Sequence, residues 1–508
     1  MNSPRPPALP VLSAFLLTLS FPKPGLSFLA WVALTPLFFS IKDKPPRAAF
    51  KDGFSTGLVF FVSSIYWLII AMNRYGGLNL GFSVVLLVIL SAYLALYYGL
   101  FAASMAHILR VHPALLALAA PAVWVGLELF RNYFLSGFPW NLLGYSQAHN
   151  LGIIQFADIT GVYGVSALIV LVNVSVFLLF HPDKYGRRYI GYSTAGAAVI
   201  LFVVVFIYGR YRLDHPPVES GRLKVSIVQG SVDQFHKWDP VFQEEVFNTY
   251  SRLTTKAAET GPGLVVWPET ATPFVYGDVT MWPRMLELVG KTRTHLLTGT
   301  MTSEPLTGDS TVEYNSAYLL SPDGRPPVRY DKTHLVPFGE YIPFQKYLNF
   351  IPTFANGIGN FGSGERFNVM DTGRGRFGTA VCFESIFPDL VRRFTLNGAD
   401  FLAIITNDSW YGLSAAPYQH LDIAAFRAVE NRRAVVRAAN TGISAIILPS
   451  GEITKPTQLF HEAVINGDIP LVRVASFYTS HGDLFAYACS AAGALTLLYA
   501  LWRSYGNA

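Results

Sequence analysis

A hydrophobic helical bundle joined to a water-soluble α/β domain is the architecture the sequence predicts, and three observations predict it. Of 508 residues, 51% are hydrophobic and only 14% charged, with mean hydropathy +0.35, a balance too apolar for an ordinary soluble protein. The apolar weight is uneven: residues 8 to 210 are mostly long hydrophobic runs, 222 to 475 read as soluble, and 484 to 502 turn apolar again. Within the soluble stretch, strand-like and helix-like runs alternate, which argues a layered α/β domain. The expected domains are therefore a transmembrane bundle of about seven helices over 1–210, a catalytic domain over 211–483, and a last membrane helix with a short tail over 484–508. A net charge of +5 with no basic block gives no sign of nucleic-acid binding.

Taken in order, the candidate membrane helices are 8–21, 25–41, 51–73, 78–109, 113–131, 159–180, 189–210 and 484–502. The first two are short for the roughly 20 residues a bilayer requires, and Pro22-Lys-Pro24 between them predicts a hairpin. Lys42, Lys44, Arg47 and Lys51 share one loop, Arg110 lies in another, and Lys184, Arg187 and Arg188 lie in a third. The alternate loops carry only Lys23, Arg74 and Arg131. Excess positive charge stays in the cytoplasm, so the large domain is expected on the outer side and Arg503 back inside. Between Arg131 and Asp158, Phe138, Trp140 and Tyr145 read as an interfacial aromatic belt. Glu128, near a helix end, reads as interfacial too.

In the soluble domain, strands are expected at 223–228, 264–267, 296–300, 316–321, 379–383, 401–406, 435–438 and 444–448. Helices are expected at 242–259, 282–291, 388–397 and 420–431. Pro449-Ser-Gly451 marks a hairpin, and Gly362-Ser-Gly364 reads as a plain turn.

The chemistry concentrates at strand ends. Cys382 stands where a short β-prone run meets a helix-prone one, and the only other cysteine, Cys489, lies in the last apolar run. A lone cysteine is commonly core filling. Weighing against that are Glu384 two residues on, Glu269 in Trp267-Pro-Glu269, and Lys332 in Tyr330-Asp-Lys332. A thiol with an ordinary pKa near about 8.5 needs a base or a cation to react at neutral pH. Glu269 supplies a base; Lys332 supplies a cation that can also bind an oxyanion, with a backbone N–H near Phe383. His334 and His420 lack a third ligand at metal-site spacing, so neither a metal nor another cofactor is expected.

Trp267-Pro-Glu269, the Lys332-to-Glu340 run KTHLVPFGE, and Cys382-Phe-Glu384 resemble the Glu, Lys and Cys motifs of the nitrilase, or carbon-nitrogen hydrolase, superfamily. The flanking helices, Gln229-Gly, Lys237-Trp-Asp-Pro240 and Asn407-Asp-Ser-Trp-Tyr-Gly412 resemble one branch, the bacterial apolipoprotein N-acyltransferases. That resemblance implies an α-β-β-α sandwich on a transmembrane bundle in the inner membrane, its catalytic domain facing the periplasm. It implies that Cys382 takes an acyl chain from a phospholipid, typically phosphatidylethanolamine, as a thioester. The α-amino group of a diacylglyceryl-cysteine at an apolipoprotein's N terminus would then remove it, completing lipoprotein maturation. Glu269 would be base, Lys332 oxyanion partner, and Glu340 and Glu384 supports. Phe383 departs from the tyrosine common there and keeps only an aromatic wall.

After Glu340 the chain runs Tyr341, Ile342, Phe344, Tyr347, Leu348, Phe350, Ile351 and Phe354, with Lys346 the only charge before Asn356. So greasy a loop suits an acyl chain or a membrane surface, and a site closed to water protects a thioester. Trp238 and Trp410, with Tyr341 and Phe344, are candidates to line the acyl or amine path. Two other functions fit parts of the pattern: a membrane-tethered amidase of the nitrilase type hydrolysing a small amide, and a receptor or transport component with a nitrilase-shaped module. The bundle and the greasy loop argue against the first, and the intact Glu269, Lys332 and Cys382 against the second.

Overall fold

The computed structural model describes residues 8–180, 188–237, 239–305, 311–343 and 361–506. They form two compact units: 1–69 with 79–215 and 481–508, and 70–78 with 216–480. The partition differs from a cut between helices and sandwich, because Ile70–Leu78, expected as the end of one membrane helix, a loop and the first residue of the next, belongs to the second unit.

The helical unit holds four straight helices long and apolar enough to cross a membrane before the sandwich, within 80–111, 113–136, 162–179 and 189–214, and a fifth at Leu484–Ser504. The expected 51–73 helix is broken: Pro46–Ser64 and Leu68–Tyr75 meet at 56°. Ala8–Ser20 and Ser27–Ile41 are shorter apolar helices, as a hairpin over Pro22-Lys-Pro24 implies. The 131–158 loop is not a superficial belt. Trp140 and Tyr145 are buried, with Trp140 packed on Trp67 at 4.8 Å between ring centroids. Glu128 is buried too, accepting from Trp124 Nε1 at 3.0 Å and Leu143 N at 2.7 Å. The carboxylate thus satisfies loop backbone that sits among helices, a need that hydropathy alone does not register.

The second unit is a sandwich of two six-stranded sheets. Its strands are β1 (Glu219–Gln229), β2 (Leu264–Val266), β3 (His295–Pro305), β4 (Thr311–Leu320), β5 (Val328–Asp331), β6 (Val369–Asp371), β7 (Arg376–Val381), β8 (Phe401–Thr406), β9 (Val435–Ala439), β10 (Ala445–Ile447), β11 (Ile453–Thr454) and β12 (Ala463–Val472). One sheet runs β12-β1-β2-β3-β4-β5 and the other β11-β10-β9-β8-β7-β6. Each has three parallel strands, β1-β2-β3 or β7-β8-β9, extended by antiparallel neighbours.

Hydrophobic periodicity explains the helical layers. In Met281–Thr292 the buried residues Met281, Trp282, Met285, Leu288 and Val289 fall on one face. Each contributes about 1.5–3 kcal/mol on leaving water, and they join Trp267 and Tyr250 in one core cluster against the first sheet. On the other sheet, Phe394 of the helix Pro388–Leu396 packs so closely over Gly378 that a Cβ there would lie 2.2 Å from its own. Three strands lie outside the expected set, the short β5 and β6 and the long β12, in which Asn466-Gly-Asp468 and Pro470 interrupt the apolar pattern. An edge strand tolerates proline, and β12 is an edge, paired only with β1.

Candidate active site

Three chain reversals at strand ends build the site. Glu269 follows β2, Lys332 follows β5, and Cys382 follows β7. Strand β2 pairs in parallel with β3, and Gly299 of β3 lies beneath the turn that carries Glu269. A Cβ at Gly299 would lie 2.4 Å from Thr270 N and 2.7 Å from Glu269 Cα, so only glycine lets the turn settle there. Cys382 takes φ 52°, a left-handed conformation that costs a non-glycine residue about 1–2 kcal/mol. It opens the 3₁₀ turn Cys382–Ile386, one residue earlier than an expected strand end at Phe383.

All three side chains are buried. Glu269 Oε1 accepts from Asn315 Nδ2 at 2.8 Å, and Oε2 accepts from Asn407 N at 2.9 Å. Lys332 Nζ lies 3.7 Å from Glu269 Oε1 and donates to Glu340 Oε1 at 2.8 Å. Glu340 in turn accepts from Asn315 Nδ2 at 3.1 Å and Val336 N at 2.8 Å. Burial lowers the Lys332 pKa, but the charges of Glu340, Glu269 and Cys382 outweigh it and hold the ammonium well above its ordinary value. For Cys382, burial and then the Glu269 charge push the thiol far above its usual range, with Lys332 only partly opposing them. The resting group is a neutral thiol facing a carboxylate and an ammonium.

Two family models meet on this chain. One, described as the apolipoprotein N-acyltransferase N-terminal domain, matches residues 13–175; the other, carbon-nitrogen hydrolase, matches 224–479. The apolipoprotein N-acyltransferase of Geobacter metallireducens is 45% identical over 500 residues, spanning 97% of this chain and 95% of the relative. The chain belongs to the apolipoprotein N-acyltransferase family. A further member, from Chlorobaculum tepidum, is 34% identical across 98% of this chain and 97% of its own. Among solved structures, Saccharomyces cerevisiae Nit3, described as a member of branch 10 of the nitrilase superfamily, is similar over 52% of this chain and 96% of its own, at 19% identity and TM-score 0.40. The enzyme is thus an acyltransferase of lipoprotein maturation, with a nitrilase-like sandwich and a helical region holding candidate membrane spans.

Glu384 is fully buried, with its carboxylate bonded to the loop that carries Lys332 and to the end of β7. Its Oε1 accepts from Tyr330 Oη at 2.7 Å, Thr333 N at 2.7 Å, Thr333 Oγ1 at 2.9 Å and His334 N at 3.2 Å. Its Oε2 accepts from Val381 N at 2.7 Å. The carboxylate therefore ties the segment after β5 to the end of β7. Phe383 packs against Phe387 and His334, with ring centroids 5.2 and 5.9 Å away. Trp410 is 36% exposed, with its ring edge-on to Tyr75 at 5.8 Å, and Tyr341 accepts from Phe338 N at 2.8 Å through its carbonyl. Trp238, Phe344 and most of the apolar loop after Glu340 lie outside the described residues.

Several site neighbours were not singled out by sequence. Lys237 is buried and donates to Glu269 O at 3.2 Å and Thr270 Oγ1 at 2.5 Å. Burial pushes its pKa down to about 7 against the pull of Glu269 and Cys382. Asn315 bridges both site carboxylates from mid-sheet, where nothing but its polarity marks it. Gly362-Ser-Gly364 is a strap and not a turn: Gly364 N donates to Lys332 O at 2.8 Å and Ser363 Oγ to Thr333 O at 2.7 Å. Among the described residues no group of His, Cys, Asp or Glu is arranged to hold a metal ion.

Proposed function

We propose that Cys382 carries the acyl chain as a thioester between a phospholipid donor and the α-amino group of an apolipoprotein's N-terminal diacylglyceryl-cysteine. The observation that carries this reading is a buried, neutral thiol under the joint influence of the Glu269 carboxylate and the Lys332 ammonium, which are 3.7 Å apart. Glu269 takes the S–H proton as sulfur attacks the ester carbonyl. Lys332 stabilises the oxyanion, and collapse expels the glycerol oxygen, which receives the proton from Glu269. In the second half the amine attacks the thioester, Glu269 takes its proton, and the thiolate leaves to be reprotonated. Glu340 keeps Lys332 aimed through the 2.8 Å contact, and Glu384 fixes the loops on which Lys332 and Cys382 ride. Phosphatidylethanolamine is the donor we favour. Trp238, Tyr341, Phe344, Trp410 and the Phe383 wall would line the acyl and amine path, excluding water from the thioester.

The test is mass spectrometry of the purified enzyme given phosphatidylethanolamine and no acceptor. We expect one fatty acyl mass on Cys382, labile to hydroxylamine, with release of lysophospholipid, and its disappearance when a diacylglyceryl-cysteine peptide is added. Lysophospholipid release with Cys382 unmodified at every time point sinks the thioester.

The cluster of basic residues at Lys42, Lys44, Arg47 and Lys51 supports an inner-membrane orientation with the sandwich in the periplasm and the tail at Arg503 in the cytoplasm. Among the described residues four candidate spans precede the sandwich, and counting the bent pair Pro46–Ser64 and Leu68–Tyr75 as one more makes the number odd, whether the apolar hairpin crosses twice or not at all. A periplasm-active reporter fused after Asp214 should be active and one fused after Arg503 inactive; the reverse pattern contradicts the orientation.

A further inference from the structure

Next to Cys382 lies a second buried polar cluster that the acyl-transfer steps do not use. Ser385, Asp408, His420 and Arg437 are all about 0–1% exposed. Ser385 Oγ lies 2.8 Å from the Cys382 carbonyl oxygen and 2.7 Å from His420 Nε2. His420 Nδ1 lies 3.1 Å from Asp408 Oδ1 and 3.2 Å from Arg437 Nη2. Arg437 Nη2 also donates to Asp408 Oδ2 at 2.7 Å, and Thr406 Oγ1 donates to Asp408 Oδ1 at 2.9 Å. The spacing is that of a Ser-His-Asp triad, yet its polarity is the reverse.

The direction follows from counting protons. A carbonyl oxygen only accepts, so the single serine hydrogen goes to Cys382 O. Ser385 Oγ then has only lone pairs for His420, and Nε2 must carry a hydrogen. Burial and the neighbouring Arg437 lower the imidazole's pKa and keep it neutral, so Nδ1 accepts from Arg437. Asp408, held down to about 2 against its burial chiefly by the Arg437 guanidinium, is a carboxylate that neutralises that guanidinium. Gly442 leaves the space for it: a Cβ there would lie 2.3 Å from Asp408 Oδ2.

We propose that Arg437, His420 and Ser385 form a positioning relay, anchored by Asp408, whose last donor holds the Cys382 peptide in its left-handed conformation and so aims the sulfur. The relay rests on Cys382 being the acyl carrier. Ser385 is a strut whose proton is spent on a carbonyl, not a nucleophile.

The experiment measures single-turnover acylation of Cys382 by phosphatidylethanolamine in full-length enzyme. Ser385→Ala should lower the acylation rate constant by about 10–100-fold, since misplacing a reacting group by about 1 Å costs on that order. KM for the phospholipid should stay within about twofold, because donor binding is untouched. His420→Gln, whose amide can still donate to Ser385, should stay within about threefold of wild type, whereas His420→Ala falls with Ser385→Ala. The double alanine variant should be no slower than either single, as links of one chain do not multiply. Ser385→Ala within threefold of wild type overturns the relay, as does a loss confined to KM, a multiplicative double variant, or His420→Gln as slow as His420→Ala. If Ser385→Ala does not fold, the two His420 variants decide. Wild-type enzyme that never carries acyl mass on Cys382 removes the thioester reading and this one with it; a wild-type adduct beside an unaffected Ser385→Ala removes the relay alone.

Discussion

Glu269→Gln is expected to slow acylation of Cys382 by about 10²–10⁴-fold, the range over which a positioned base acts, and at the same time to make the thiol easier to ionise. The two effects run in opposite directions for one reason. In the wild-type site, burial and the Glu269 charge together hold the thiol far above its usual range. Spontaneous thiolate is therefore negligible at neutral pH, and the proposed reaction depends on handing the proton to Glu269 as the sulfur–carbon bond forms. The amide cannot take that proton. It also removes the second largest influence raising the thiol, leaving the Lys332 ammonium less opposed, so the Cys382 pKa must fall. Single-turnover acylation should accordingly collapse, while alkylation by iodoacetamide above about pH 9 should become faster than in wild type. The glutamine fits only in part: its oxygen can accept from Asn315 Nδ2, but its NH₂ would then face the Asn407 N–H that donates to Oε2. Thermal unfolding is needed beside the rates, with a shift of a few degrees expected. Acylation and alkylation falling in parallel would mean that the site had collapsed and that Glu269 is not the base.

How much of this was readable from residues alone depends on what kind of physics placed each one. Glu269, Lys332 and Cys382 are visible because they punctuate apolar strand runs, and a charged or nucleophilic residue ending such a run is anomalous in any soluble core. Most sandwich strands are legible as apolar runs; the short β5 and β6 are not, nor is β12, whose Asn-Gly-Asp and Pro470 are acceptable because the strand lies at an edge. Lys237 and Asn315 escaped notice since their partners are brought by tertiary packing from 32 and 46 positions away. His420 carries no signal in the sequence beyond its lack of metal-ligand spacing. Its partners Ser385 and Asp408 come from different turns, and only the fold reveals that Ser385 also reaches the Cys382 carbonyl. In the helical unit, hydropathy locates apolar segments but not their breaks, so the 56° bend between Pro46–Ser64 and Leu68–Tyr75 leaves no mark in composition.

Glu384→Ala is expected to destabilise the sandwich by about 3–5 kcal/mol, the scale of removing one side of a buried charged contact, and to abolish acylation with it. The carboxylate is fully buried and accepts five hydrogen bonds, three of them from the backbone N–H groups of Thr333, His334 and Val381. Those donors have no water to turn to, and each left unpaired costs about 1–3 kcal/mol before relaxation. Burial raises the Glu384 pKa, while the Val381 N–H, the Tyr330 hydroxyl, the Lys332 charge and the Thr333 N–H pull it down. Every contact is a donor, so the geometry is built for the ionised form. Glu384→Gln tests this: one amide oxygen can replace Oε1, but the NH₂ would confront Val381 N–H, one residue before Cys382. The glutamine variant should therefore retain more stability than the alanine variant yet lose acylation, because the damage falls on the Cys382 turn. For a domain of this size, about 2–4 °C per kcal/mol predicts a fall near about 10 °C for alanine and less for glutamine. Calorimetry in detergent beside single-turnover acylation checks both. An alanine variant that unfolds at the wild-type temperature would show that Glu384 is not the tie between the Lys332 and Cys382 loops.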